Sequence, residues 1–147
     1  MNNNSLEPIV ESIFSILPLF KKKLIKPHKH NKAIDLSPSH LQILFLLDDL
    51  GKLPISEIGK HLFISKPNMT PLIQKLIKEN LVERIRNEED RRYIDIQITK
   101  KGKELIENHK ALVAGNLKKK LANLSEEDLK ELSLSLNKVK EIISKLD

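Results

Sequence analysis

Four arginines, the only ones in the chain, fall within nine residues: Arg84, Arg86, Arg91 and Arg92. A guanidinium keeps its charge at any physiological pH, and its fork of donors suits phosphate oxygens. It is also drawn into the narrow minor groove of A·T-rich DNA, where negative potential is concentrated. Arg92 is the candidate minor-groove probe, with Asp90 placed to pair with it or a neighbouring arginine and stiffen the segment. Arg84, Arg86 and Arg91 are candidates for phosphate contact, or they simply keep their strands soluble. Upstream lies a second set, uncharged: Asn68, Thr70 and Gln74. Asn and Gln pair with adenine N6 and N7, and Thr packs on a thymine methyl or bonds a phosphate. A solvated polar helix face would carry the same residues. Ser65 stands where it would cap that helix, whose free N–H groups can also receive a phosphate. Lys66 and Lys75 add positive charge to the same stretch.

Other chemistries are excluded more firmly. The 147 residues contain no cysteine, so there is no disulfide framework, thiolate metal site or thiol nucleophile. Four glycines do not write a phosphate-binding loop of either common kind. No Gly-x-Ser-x-Gly or His-Glu-x-x-His occurs, no cofactor is expected, and the chain is not read as an enzyme. The five histidines are His28, His30, His40, His61 and His109, none with another histidine three or four residues on. His28 and His30 would need carboxylates from elsewhere, so no metal site is expected. Net charge is +6, and residues 51–110, with 13 basic and 9 acidic groups, hold four of those six charges. That balance suits an acidic partner such as nucleic acid, although Lys-rich proteins that bind none are common. No secretory leader and no apolar run long enough to span a bilayer is recognised, so a cytoplasmic location without a membrane is expected.

The elements that would position these residues follow from periodicity. Ile9, Ile13, Ile16, Leu17, Phe20 and Leu24 recur at helical spacing. Ser5 is the expected cap, with the helix starting near Leu6, Pro8 in its first turn, a kink at Pro18 and an end at Pro27; residues 27–35 read as loop. Ser37-Pro38 opens a largely buried helix that Gly51 stops. Ser56 is expected to cap a short helix to about Leu62, and Phe63-Ile64 to form a turn. The next helix runs from Ser65–Asn68 to Glu79, closed by Asn80 in the left-handed conformation. The period then becomes two. Residues 82–86 and 93–98 read as strands, the second with Ile94, Ile96 and Ile98 on one face, around a polar tip at 87–92. Thr99 caps a helix over roughly 100–122. Ser125 and Asp128 resemble a capping box. The last helix carries Leu129, Leu132, Leu136, Val139, Ile143 and Leu146 in a heptad seam too short to stand alone. The fold class is mainly α with a small β-hairpin wing: a winged helix-turn-helix between terminal helices.

From Leu36 to Leu105 the sequence resembles the MarR family of bacterial transcription regulators. The resemblance rests on Leu36-Ser37-Pro38 with Ile43-Leu44, on Ser65-Lys66-Pro67-Asn68-Met69-Thr70, on Leu81-Val82-Glu83-Arg84, on Asp90-Arg91-Arg92, and on Ile98-Thr99-Lys100-Lys101-Gly102. The sequence departs from the pattern at Asn80, where Gly is frequent, and at Pro71, where Arg is frequent. The resemblance implies a homodimer binding double-stranded DNA at a pseudo-palindromic operator. Residues 1–35 and 103–147 would supply the dimerisation helices, and 36–102 the DNA-binding lobe. It further implies a repressor released by a small aromatic or phenolic effector, in a pocket for which Phe14, Leu17, His40, Leu44 and His109 are candidates. The rival reading is a winged-helix adaptor that binds protein rather than specific DNA.

Overall fold

The computed structural model describes residues 3–25 and 35–147. The elements, in order, are α1 (Asn3–Lys23), α2 (Pro38–Leu50), β1 (Leu53–Pro54), α3 (Ile55–Leu62), α4 (Lys66–Lys78), β2 (Val82–Arg86), β3 (Ile94–Ile98), α5 (Lys100–Leu121) and α6 (Glu126–Ile143). The chain divides into two compact units, Met1–Pro27 with Leu112–Asp147, and His28–Ala111.

The second unit holds the winged helix and a closed core. Ile43, Leu44 and Leu47 from α2, Ile58 from α3, and Met69, Ile73 and Leu76 from α4 are buried together with Leu81, Val82, Ile96, Ile98 and Ile106. Ser37 caps α2 with Pro38 at its first position, and Gly51 ends it with φ 80, donating its N–H to Leu47 O. Asn80 adopts φ 60, so the left-handed cap expected after α4 is present. Thr99 accepts from Gly102 N–H at 3.1 Å and donates to Asn80 O at 2.7 Å. It thus caps α5 while tying it to the end of α4. Gly102 is required by crowding: a Cβ there would strike Leu81 O and lie 2.7 Å from Ile98 Cγ1.

Four details differ from the sequence expectation. The sheet has three strands in the order β1-β3-β2, all antiparallel. β1 is two residues, one of them proline, which leaves no periodicity to read. The second difference is in burial. Ile94, Ile96 and Ile98 share one face of β3, as expected, and Ile96 and Ile98 are buried in the core. Ile94, paired with Arg86 next to the tip, is half exposed. Asp95, on the opposite face of this middle strand, is 3% exposed. Third, α3 begins at Ile55 behind Pro54, and Ser56 lies inside its first turn rather than capping it. Fourth, Ser65 occupies the N-cap position of α4, but its hydroxyl accepts no helix N–H. Its carbonyl does so instead, from Asn68 and Met69.

In the other unit, α1 already includes Asn3, so Ser5 is inside the helix and not its cap, and the helix runs on through Pro8 and Pro18. It ends at Lys23; Pro27, the expected stop, lies outside the described residues. Ser125 caps α6 by accepting from Asp128 N–H at 3.1 Å. Neither α1 nor α6 has a buried residue. Leu129 and Leu132 are half-buried, Leu136, Val139 and Ile143 are exposed, and Leu146 lies past the helix end. On α1, Ile9, Ile13, Phe14 and Leu17 are exposed likewise. No described helix is long and apolar enough to cross a membrane.

Candidate nucleic-acid interface

α4 is amphipathic for a simple reason: Met69, Ile73 and Leu76 recur at spacings of four and three and point into the core. What remains outside is polar. Ser65, Lys66, Asn68, Thr70 and Gln74 are exposed, and Lys75 is half-buried. Thr70 and Gln74 are one turn apart and share a flank with Pro67, Pro71 and Lys78. Asn68 is about 120° round the helix from Gln74 and owes its exposure to its place in the first turn. Pro71 has no N–H, so the Pro67 carbonyl lacks its usual helical donor. One turn earlier, Thr70 Oγ1 donates to Lys66 O at 3.3 Å. The exposed face is thus uncharged over Thr70 and Gln74 and positive at Lys66 and Lys78.

The wing tip is built by side chains. Asn87 Oδ1 accepts from the N–H groups of Glu89 at 2.9 Å and Asp90 at 3.0 Å. Its Nδ2 donates to the buried Asp95 carboxylate at 3.2 Å. The backbone closes the loop with Asn87 N–H to Tyr93 O and Tyr93 N–H to Asp90 O, both 3.1 Å. Asp90 then holds Arg92 by a two-pronged pair: Nε to Oδ1 at 3.1 Å and Nη2 to Oδ2 at 2.9 Å. Asp90 Oδ1 also accepts from Arg92 N–H at 3.1 Å. The side-chain pair, and then the backbone bond, hold the Asp90 carboxyl below its ordinary value, and Asp90 raises Arg92 in return. The Arg92 side chain is 85% exposed, so the pairing fixes its base and leaves its surface to solvent. Arg91, Arg84 and Arg86 are exposed on the same hairpin.

The structure brings several of these residues together. An open cleft of about 340 Å³ is lined by Gln74, Ile77, Asn80, Val82, Glu83 and Arg84, so the polar flank of α4 meets β2 there. Lys101 Nζ donates to Glu79 O at 2.9 Å, adding a second tie between α5 and the end of α4. Sequence reasoning missed Asn87. Its signal was present, an Asn at the head of a polar turn, where Asx side chains bond N–H groups two and three residues on.

The proposed pocket residues are placed differently from one another. His40 is 7% exposed and completes a capping box: its Nδ1 accepts from Ser37 N–H at 2.9 Å and lies 2.7 Å from Ser37 Oγ. Burial, then the nearby Lys75 charge, lowers its pKa against an opposing pull from Asp35. Leu44 is wholly buried in the core. The His109 ring lies 6.0 Å from Phe45, tilted by 56°. Lys110 Nζ sits 5.4 Å above the same Phe45 ring and 4.0 Å from Asp48 Oδ2. Phe14 and Leu17 are exposed on α1, in the other unit. Among the described residues no group of three or more His, Asp or Glu side chains is arranged to hold a metal; His28 and His30 lie outside them.

Comparison with known proteins gives three kinds of likeness. The sequence pattern of the MarR family matches residues 36–94. The HTH-type transcriptional regulator SarZ of Staphylococcus aureus is 29% identical over 126 residues, 85% of this chain and 77% of SarZ. The fold is that of the transcriptional regulator Tm0710 from Thermotoga maritima, with a TM-score of 0.76 at 22% identity over 95% of this chain and 96% of that one. It is also that of Streptococcus pneumoniae FabT, whose structure was solved in complex with DNA, with a TM-score of 0.59 at 20% identity over 99% and 100% of the two chains.

Proposed function

We propose that this chain, whose residues 36–94 match the sequence pattern of the MarR family, is a transcriptional regulator of that family that binds double-stranded DNA sequence-specifically, as a homodimeric repressor released by a small aromatic effector. One observation carries the reading. The polar flank of α4 is uncovered, and beside it stands a wing whose tip is wired to present a fixed arginine. In this reading the first turns of α4 enter the major groove, where Asn68, Thr70 and Gln74 meet base edges. Ser65, Lys66 and Lys75 sit near phosphates, as do Arg84, Arg86 and Arg91. Arg92, held by Asp90, enters the adjacent minor groove. The DNA complex of FabT supports this assignment by analogy of fold.

Dimerisation rests on exposed apolar surface. Helices α1 and α6 leave Ile9, Ile13, Phe14, Leu136, Val139 and Ile143 uncovered, more than a soluble monomer usually carries. Residues 1–35 and 103–147 are the proposed dimerisation helices, and 36–102 the DNA-binding lobe. Two-fold symmetry then requires two half-sites about one helical turn apart. The test is selection of bound sequences from random duplex DNA, repeated in the presence of phenolic acids. Recovery of a two-fold symmetric site, lost with one of the ligands, is the expected result. Recovery of no sequence above background at low salt overturns the reading.

A further inference from the structure

Phe63 is the largest conformational anomaly in the winged helix. It ends α3 in the left-handed conformation, at φ 56 and ψ 40. Glycine takes that conformation freely and asparagine tolerates it, but a bulky aromatic side chain there is an outlier. Burial does not compensate, because Phe63 is 97% exposed, the most exposed of the large apolar residues described. Its backbone does ordinary work: Phe63 N–H and Ile64 N–H both bond to Gly59 O, which any residue in this conformation would supply. The ring therefore adds nothing to the fold, and its conformation works against it. A strained residue that the fold does not need is a reason to look for a ligand.

Its position says which ligand. Phe63 lies two residues before Ser65, the N-cap of α4, so their Cα atoms are within about 7 Å. The first turn of α4, with Lys66 and Asn68 exposed, is the part of the helix that enters the groove in the function proposed above. Phe63 is exposed within two residues of that surface. We infer that Phe63 is a DNA-contacting residue, packing its ring on an apolar surface of the duplex, a thymine methyl or a deoxyribose face, beside the entry of α4 into the major groove. The contact is non-ionic, so it adds affinity without releasing counterions. This inference rests on the DNA-binding reading and adds a residue outside its charged and polar set.

The experiment titrates a selected duplex with the full-length wild type, Phe63→Asn and Phe63→Tyr at several salt concentrations, with thermal melting of each protein. Asparagine accepts the left-handed conformation, so Phe63→Asn should melt at or above the wild-type temperature. It should nevertheless bind roughly tenfold more weakly, the loss expected when partial burial of an aromatic ring is removed, at an unchanged salt slope. Phe63→Tyr should bind like wild type. Replacing thymine by deoxyuridine along the duplex separates the two apolar surfaces: for a methyl contact, one position per half-site weakens the wild type and not Phe63→Asn. For a deoxyribose contact no position does so, and the tenfold loss remains. A folded Phe63→Asn protein that binds as tightly as wild type overturns the inference while leaving the DNA-binding reading intact. A wild type that binds no duplex overturns that reading instead.

Discussion

Asn87 is the residue on which the wing should depend most, and the cost of removing it can be worked from its bonds. In Asn87→Ala, the N–H groups of Glu89 and Asp90 lose their common acceptor. Both lie near solvent, so water replaces much of the bond, and about 0.5–1.5 kcal/mol is lost for each. The other end of the side chain matters as much. Asp95 is 3% exposed and takes the Asn87 amide at 3.2 Å and 3.4 Å on its two oxygens. Leaving a buried carboxylate short of a donor costs about 1–3 kcal/mol. The total is roughly 2–6 kcal/mol, or a fall in Tm of about 4–24 °C at 2–4 °C per kcal/mol for a chain of this size. Urea denaturation followed by far-ultraviolet circular dichroism measures it. A double-mutant cycle isolates the buried part, because with Asp95→Asn in place no charge is stranded. Asn87→Ala should then cost about 1–3 kcal/mol less than it does in wild type. A single-mutant cost under about 0.5 kcal/mol, or strict additivity with Asp95→Asn, would refute the idea that one amide joins tip to sheet.

Arg92→Ala should leave the melting temperature unchanged, since the side chain is 85% exposed, and should weaken binding to all sequences, with the salt slope falling by about one unit per lost ionic contact; titration at several salt concentrations reads it. Gln74→Ala should do the opposite: an unchanged slope, with preference relaxed at one or two base pairs per half-site by about 1–3 kcal/mol, visible on a panel of single-base operator variants. Burial and then the Lys75 charge lower the His40 pKa, so as pH falls the unfolded chain binds its proton first. Its contribution is present above about pH 6.5 and is lost on acidification; His40→Gln, which keeps an acceptor at the capping position, should flatten the stability profile below that pH in urea melts. Gly102→Ala should destabilise by about 1–3 kcal/mol or somewhat more, the cost of overpacking, because Leu81 O is backbone and cannot retreat; a thermal melt within 2 °C of wild type, taking about 2–4 °C per kcal/mol, would contradict that.

Much of the fold was legible because strong local signals agreed with the tertiary arrangement. Ser37-Pro38, Gly51, Asn80 and Thr99 each mark a boundary by a side-chain or backbone property that acts within a few residues. The failures are of two kinds. β1 is too short to have a period, and with it went the knowledge that β3 is the middle strand and that Asp95 is buried. Ser5, Ser56 and Ser65 look like caps by residue type. Yet a hydroxyl caps only when the chain brings it to the free N–H groups, which depends on where the preceding segment leaves off. For the candidate interface, the exposed polar residues of α4 and the Asp90–Arg92 pair could be read directly. For Asn87 only the turn half was legible, because the other half is a bond to a residue eight positions away across the hairpin.

The joint between α4 and α5 has a mechanical meaning. Three bonds, Thr99 Oγ1 to Asn80 O, Thr99 N–H to Leu81 O and Lys101 Nζ to Glu79 O, fasten the first turn of α5 to the tail of α4, and Gly102 lets the two backbones touch. These polar ties are at one end only, while Met69, Ile73 and Leu76 anchor the helix in the core along its length. α4 has 13 residues and is therefore a rod about 20 Å long, with Lys66 and Asn68 at the end away from the joint. A tilt of the whole rod by about 10° about the joint would move that end by roughly 3 Å, the reach of a hydrogen bond. The joint at Thr99 and the buried Met69 near the other end together hold Lys66 and Asn68 against such a tilt, so the position of the exposed first turn is set from both ends of the rod.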